Sequence, residues 1–164
     1  MLWLYLLAIV TVLAIILRRV LLRQTPLRDE IYSKRVAIEY VSTGVAWVGA
    51  DGKLRATNPA LARSLNVDQK DIIGRDWYEL FAPSDREEMR QAYSQMLLAG
   101  RASVKVRGLR RNGTFAWFDV TLVAVHDHKM RFVGLHCLAD DRTRQHELEE
   151  RIDQLTRAGS PTSA

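Results

Sequence analysis

The sequence predicts an α+β domain built on one five-stranded antiparallel sheet, with its helices inserted between strands 2 and 3. Three observations carry that expectation. Alternating runs rich in β-branched and aromatic residues stand in two groups, 44–49 and 53–57, then 102–110, 114–125 and 130–139. Between the groups, from Asn58 to Gly100, every signal is helical. The dipeptides Asp51-Gly52 and Asn112-Gly113 are tight-turn sequences that join neighbouring strands as hairpins and so fix those pairs as antiparallel. The order β-β-α-α-α-α-β-β-β segregates the helices to the middle of the chain, as an α+β fold requires.

Each element has its own signature. Asn58 followed by Pro59 is an N-cap with proline at the first helical position, opening a helix over 59–65. A second turn at 68–73 stops at Gly74, in the position where a left-handed residue ends a helix, and a brief helical piece covers 76–81. Ser84-Asp85-Arg86-Glu87 has the form of a capping box. It precedes a helix whose apolar residues Met89, Ala92, Tyr93, Met96 and Leu97 recur at helical spacing until Gly100. After the three-stranded meander, 141–157 returns to helical spacing, with Leu148, Ile152 and Leu155 in a short coiled-coil-like stripe. Residues 158–164 form a small-residue tail, expected to be flexible.

Composition narrows the function. The 164 residues carry 24 Lys+Arg against 19 Asp+Glu, a net charge of +5. Arg18, Arg19 and Arg23 supply +3 of it within residues 1–24, where no acid occurs, leaving +2 for the rest. So small a remainder argues against nucleic acid as a partner, which calls for clustered positive charge. A single cysteine excludes an internal disulfide framework and any multi-cysteine metal site.

Residues 1–17, MLWLYLLAIVTVLAIIL, hold no charge, glycine or proline. As a helix they span roughly 25 Å, and Val20 to Leu22 extend the run if Arg18 and Arg19 snorkel to the headgroups. The basic residues follow the apolar run instead of preceding it, so an anchor over 1–23 is expected and not a cleaved signal peptide. Arg18, Arg19, Arg23 and Arg28 lie on its C-terminal side, which places the remainder in the cytoplasm by the positive-inside rule and makes the chain single-pass. Pro26 breaks that helix, and 24–42 forms a linker and lead-in helix, helical over 28–42.

The motifs go further than periodicity. Asp51-Gly52, Asn58-Pro59-Ala60, Ile73-Gly74, Pro83-Ser84-Asp85, Arg111-Asn112-Gly113 with Trp117, and Asp141-Arg142-Thr143 occur in order over Gly44–Thr143. In that order and spacing they resemble the PAS (Per-Arnt-Sim) family, with the domain over 43–140 and an exit signalling helix over 141–157. The resemblance implies the PAS fold and a sensory or dimerisation role. It also implies that Asp141 and Thr143 relay motion from the last strand to the exit helix. Arg142 stands where an aliphatic residue is usual and removes an apolar contact behind that cap.

The resemblance raises the question of the family's cofactors, and the residues answer for each. The light-sensing branch needs a reactive cysteine after the second short helix, and 72–82, IIGRDWYELFA, has none. Haem-binding members place a histidine on the long helix, and 84–99 has none. Flavin of that type and haem are therefore not expected, and no metal site is assigned. His126-Asp127-His128 offers two ligands on a turn, which is too few, and His146 is expected to face solvent. Cys137 fits a small buried hydrophobe. A small apolar ligand has a candidate pocket among Trp47, Leu65, Trp77, Tyr93, Leu97, Phe118, Val120 and Leu135, although the favoured reading is that these side chains simply fill the core.

The opposite sheet face is also apolar. Phe115, Trp117, Phe132 and Leu138 alternate onto it and need a cover, either the lead-in helix or a second subunit. Leu148, Ile152 and Leu155 would continue such a homodimer along the exit helix. The chain holds no ATP-binding glycine loop, cyclase signature or phosphoacceptor histidine. It therefore reads as a non-catalytic module that signals to a partner, or as the sensor portion of a histidine kinase or diguanylate cyclase.

Overall fold

A computed structural model describes Trp3 and residues 10–15, 37–39 and 41–158. The chain divides into two units, Met1–Glu39 and Tyr40–Ala164. In the first, residues 10–15 and 37–39 are helical. Most of the expected anchor and lead-in helix lies outside the described residues, as does nearly all of the expected tail. Among the described residues no helix is long and apolar enough to cross a membrane.

The second unit is a five-stranded antiparallel sheet in the order β2-β1-β5-β4-β3. Its strands are β1 (Gly44–Gly49), β2 (Leu54–Thr57), β3 (Arg101–Leu109), β4 (Phe115–His126) and β5 (Phe132–Asp141). Between β2 and β3 run α1 (Pro59–Leu65), α2 (Gln69–Ile72), two 3₁₀ turns (Trp77–Leu80 and Pro83–Asp85) and α3 (Arg86–Ala99); α4 (Thr143–Ala158) follows β5. The helical crossover carries the chain from one edge of the sheet to the other. The β3–β4–β5 meander then returns to pair β5 with β1.

Asn58 accounts for the first crossover. Its side chain accepts from the N–H groups of Leu61 (3.1 Å) and Val45 (2.9 Å) and donates to the carbonyl of Thr43 (2.9 Å), so one amide caps α1 and pins it to β1. Gly74 takes φ +83° and donates its N–H to the carbonyl of Leu54 at 2.7 Å, returning the chain to β2 after α2. Gly100 ends α3 in the left-handed conformation.

The expected capping box does not form. Ser84 and Asp85 lie in a 3₁₀ turn, and neither side chain caps α3. Asp85 instead accepts from the Arg107 backbone N–H (2.8 Å) and from its guanidinium (2.5 and 2.9 Å), while Arg107 also donates to Ser84 (2.8 Å). A guanidinium satisfies the carboxylate better than one amide N–H, so the pair serves β3 and not the helix end.

The core lies between the helices and one sheet face. Ala116, Phe118, Val120 and Leu122 of β4, Leu135, Cys137 and Ala139 of β5, and Ala46 and Val48 of β1 alternate onto it. They meet Leu54, Leu61, Leu65, Trp77, Phe81, Met89 and Met96. Each large side chain so buried contributes roughly 1.5–3 kcal/mol.

Three sequence expectations about facing are corrected here. Trp47 lies on the outer face, its ring 5.0 Å from His136, because alternation along β1 turns Ala46 and Val48 inward. Leu97 is 48% exposed. The buried stripe of α3 is Met89, Ala92 and Met96, and Leu97 stands a further ~100° round the helix. Phe132 packs on the core side, edge-on to Tyr93 at 6.5 Å. Gly134, at φ +148°, and a register shift between Val125 and His126 break the alternation that would have sent it outward.

Candidate functional site: the core cavity and the strand-to-helix junction

The core encloses a cavity of about 10 Å³ lined by apolar residues from β1, β2, α1, the first 3₁₀ turn, β4 and β5. That holds at most one water. Of the residues expected to form a ligand pocket, Leu65, Trp77 and Phe118 line it. Val120 and Leu135 are buried elsewhere in the core, and Tyr93 stands at its margin against Trp77, 6.1 Å between rings. Trp47 and Leu97 do not belong to it. Sequence reasoning missed Ala46, Val48, Leu54, Leu61, Leu80, Phe81, Cys137 and Ala139. On β1 it favoured the large Trp47 over its small neighbours, although strand alternation made either face available. Cys137 lies in this wall, and burial pushes its thiol up to about 12, so it packs as an apolar group.

The second locus is where β5 gives way to α4. The Arg142 N–H donates to the carbonyl of Trp117 at 2.7 Å, and the Trp117 N–H donates to the Thr143 hydroxyl at 2.9 Å. Thr143 is only 9% exposed. Its own N–H donates to Asp141 at 3.0 Å. Burial alone would raise the pKa of Asp141, but hydrogen bonds from Thr143 and Ser64 and the charge of Arg110 outweigh it and hold the carboxyl low. The Arg142 side chain, in place of an aliphatic contact, reaches Asp119 (3.3 Å) and Asp140 (3.8 Å) on the sheet. Asp141 and Thr143 are thus brought together with Trp117, on the neighbouring strand.

His146 corrects another expectation. It is half-buried, with its ring stacked on Trp117 at 4.0 Å. Its Nδ1 makes no hydrogen bond among the described residues and lies 3.6 Å from a Glu150 carboxylate oxygen. The heptad stripe gave His146 no role, and its place one turn past Arg142 was the available signal.

On the outer sheet face, Phe115 is 41% exposed, and Trp117 and Leu138 are half-buried. The Arg107 guanidinium lies 5.4 Å from the ring centre of Phe115 and 5.6 Å from that of Trp117. Leu148, Ile152 and Leu155 form an exposed stripe along α4. Among the described residues no cluster of three metal-ligating side chains occurs.

A five-stranded antiparallel sheet with its helices spliced between the second and third strands, and a helix that leaves the last strand tied back to the sheet through Thr143, defines a sensory-domain architecture. A family model described as PAS fold matches residues 38–147, and the chain belongs to that family. It is 23% identical over 123 residues to the sensor histidine kinase TmoS of Ectopseudomonas mendocina, covering 74% of this chain and 13% of that protein. It is 32% identical over 87 residues to the probable diguanylate cyclase DgcE of Escherichia coli K12, covering 51% of this chain and 8% of that one. The chain therefore spans a small part of the curated relatives it matches. Among solved structures, the PAS domain of a Colwellia psychrerythraea protein superposes with a TM-score of 0.67 at 20% identity, covering 71% of this chain and 99% of that one.

Proposed function

We propose that this chain is a membrane-anchored, non-catalytic PAS module that passes a signal through α4 to a second copy and to a signalling partner. The observation that carries this is the junction. Trp117 in the sheet holds both Arg142 and Thr143 at the start of α4, so a shift of β4 against β5 moves the helix. The apolar run 1–17 with its following arginines supports a single-pass anchor with the domain in the cytoplasm. The exposed stripe Leu148, Ile152 and Leu155 supports a helix pair, too short to associate alone but sufficient beside a shared sheet face and anchor.

Two measurements test it. After expression of the full chain, an alkaline wash of the membranes leaves an anchored protein in the pellet; release into the supernatant rejects the anchor. Ile152→Cys places a thiol on the exposed stripe, and mild oxidation then yields a covalent dimer. A monomer under those conditions, with a monomeric mass in native mass spectrometry, rejects the homodimer.

A second function is supported by the matches to TmoS and DgcE, of which this chain covers 13% and 8%. In it the chain is the sensor portion of a kinase or cyclase, and α4 continues into a catalytic domain. Fusing α4 in register to such a domain would then give an output that a one-residue insertion after Leu155 changes.

A further inference from the structure

Two adjoining clefts flank the C-terminal end of α1. One, of about 480 Å³, is lined by Arg63, Ser64, Asn66, Arg110, Asn112 and Asp141. The other, of about 430 Å³, shares Arg63 and Asn66 and includes Arg111. Both are shallow and open to solvent.

The first cleft is rich in uncommitted donors. Arg63 is exposed and has no ion-pair partner among the described residues. Arg110, which lines the cleft, donates Nε to the Ser64 carbonyl at 3.0 Å, and its terminal amines make no ion pair among the described residues. Asn112 uses its carbonyl oxygen to accept from the N–H and hydroxyl of Thr114, so its amide N–H₂ is the end left over. Asn66 ends α1 in the left-handed conformation (φ 54°), beside Arg63.

Acceptors in the same place are already satisfied. Asp141, the one acid lining this cleft, takes hydrogen bonds from Thr143 and Ser64. The carbonyls that end α1 are covered: Ala62 by Val67, Arg63 by Asn66, Ser64 by Arg110 and Leu65 by Arg111. The negative end of that short helix is thereby masked. Arg111 is offset by Asp71 at 3.2 Å and Arg110 in part by Asp141, so this cleft sets two guanidinium groups against one carboxylate and its surplus positive charge rests chiefly on Arg63.

We propose that this cleft is a binding site for an oxyanion, the carboxylate or phosphate of a small molecule, held between the guanidinium groups of Arg63 and Arg110. A planar guanidinium matches such oxygens in a bidentate fashion, and Asn66 and Asn112 supply neutral donors around it. The same chemistry is offered by a soluble metabolite or by an anionic lipid headgroup. Arg110 is also the cation beside Asp141, so an anion that draws on Arg110 reaches the residue that caps Thr143 at the start of α4. The site itself does not depend on the relay proposed above.

The test is a titration of the full chain, isotopically labelled in zwitterionic detergent micelles, with inorganic phosphate, acetate, or chloride at matched ionic strength. Phosphate or acetate is expected to give saturable amide shifts at Asn66 and Asn112, and chloride is not. Arg63→Gln and Arg110→Gln should each weaken the affinity about tenfold. Arg63 is exposed and holds nothing in the fold, so its variant keeps the test valid if Arg110→Gln unfolds. Shifts that do not saturate, that chloride reproduces, or that Arg63→Gln leaves unchanged overturn the site. Replacing phosphate by phosphatidylglycerol vesicles, against phosphatidylcholine, separates the sources: the same shifts with the anionic vesicles assign a lipid headgroup, and their absence assigns a soluble ligand. A saturable shift at Asn66 and Asn112 without one at Thr143 establishes the site and denies its link to α4.

Discussion

The imidazole of His146 and the indole of Trp117 lie stacked, 4.0 Å between ring centres and 10° from parallel. They belong to different elements, α4 and β4, so the stack fastens the outgoing helix to the sheet one turn beyond the Thr143–Trp117 hydrogen bond. An aromatic pair of this kind contributes about 0.5–1.5 kcal/mol beyond its buried area. His146→Ala should therefore speed hydrogen exchange in the first two turns of α4 by about 2- to 12-fold while leaving the β4 and β5 amides unchanged. His146→Phe, which keeps a stacking ring, should restore most of the protection. Exchange that rises uniformly through the domain would mean the ring serves global stability and not the junction.

Asn58 is the next most informative position. Among the described residues its amide bonds Leu61 at the start of α1, Val45 of β1 and Thr43 just before β1. Loss of a cap costs about 1 kcal/mol, and leaving the buried groups of β1 without partners adds to it. Asn58→Ala should lower unfolding free energy by about 2–3 kcal/mol, read from the denaturant midpoint at unchanged slope. Asn58→Asp keeps both acceptor bonds but sets an oxygen against the Thr43 carbonyl, so it should recover only part of the loss.

Asn58 was legible because its signal is local: a cap residue, then proline, then a helical run. Asp51-Gly52, Gly74 and Gly100 were legible for the same reason, and with the strand pattern they gave the architecture. Facing was harder to read. Alternation assigns relative sides within a strand and not which side meets the core, and it is small Ala46 and Val48, not Trp47, that the core admits beneath the helices. Phe132 followed its strand's period until Gly134 broke it, and nothing in a run of letters marks a φ of +148°. At the junction, Asp141 and Thr143 were visible through the family resemblance. Their partners Trp117 and Ser64 were not, because each lies far off in sequence and is brought there by sheet register and the helical crossover.

Asp85 and Arg107 give the domain a specific acid sensitivity. Hydrogen bonds from the Arg107 guanidinium, the Ser84 hydroxyl and the Arg107 backbone N–H outweigh burial and hold the Asp85 carboxyl well below the usual carboxylate range. An unfolded chain binds that proton near pH ~3.9, so the pair's contribution is fully present above that value and is lost as pH falls toward the lower folded value. Asp85→Asn should cost about 1–2 kcal/mol at pH 7, and the gap from the parent should narrow below about pH 4. Thermal melts across that range check it. A gap that stays constant with pH would assign the loss to packing of the turn and not to the carboxylate's charge.

At Gly134 the backbone of β5 runs close against that of β1. A Cβ placed there would lie 2.1 Å from the Val48 carbonyl oxygen, 3.0 Å from the Trp47 ring and 3.1 Å from the Gly49 Cα. Two of those atoms are backbone and cannot move aside as a side-chain tip can, and φ of +148° is strained for any other residue. Gly134→Ala must therefore part the two strands locally or turn the peptide back toward ordinary extended geometry. In the second case Phe132 swings to the outer face and loses Tyr93, which stands edge-on to it at 6.5 Å. Either route should destabilise the domain by about 2 kcal/mol or more. The near-ultraviolet circular dichroism of Trp47, Tyr93 and Phe132 should change with it, whereas Gly113→Ala, strained in φ but with open space around its Cβ, should cost less and leave that spectrum intact. Equal losses at the two positions would mean that backbone strain alone, and not the close approach of β1 and β5, makes glycine necessary at 134.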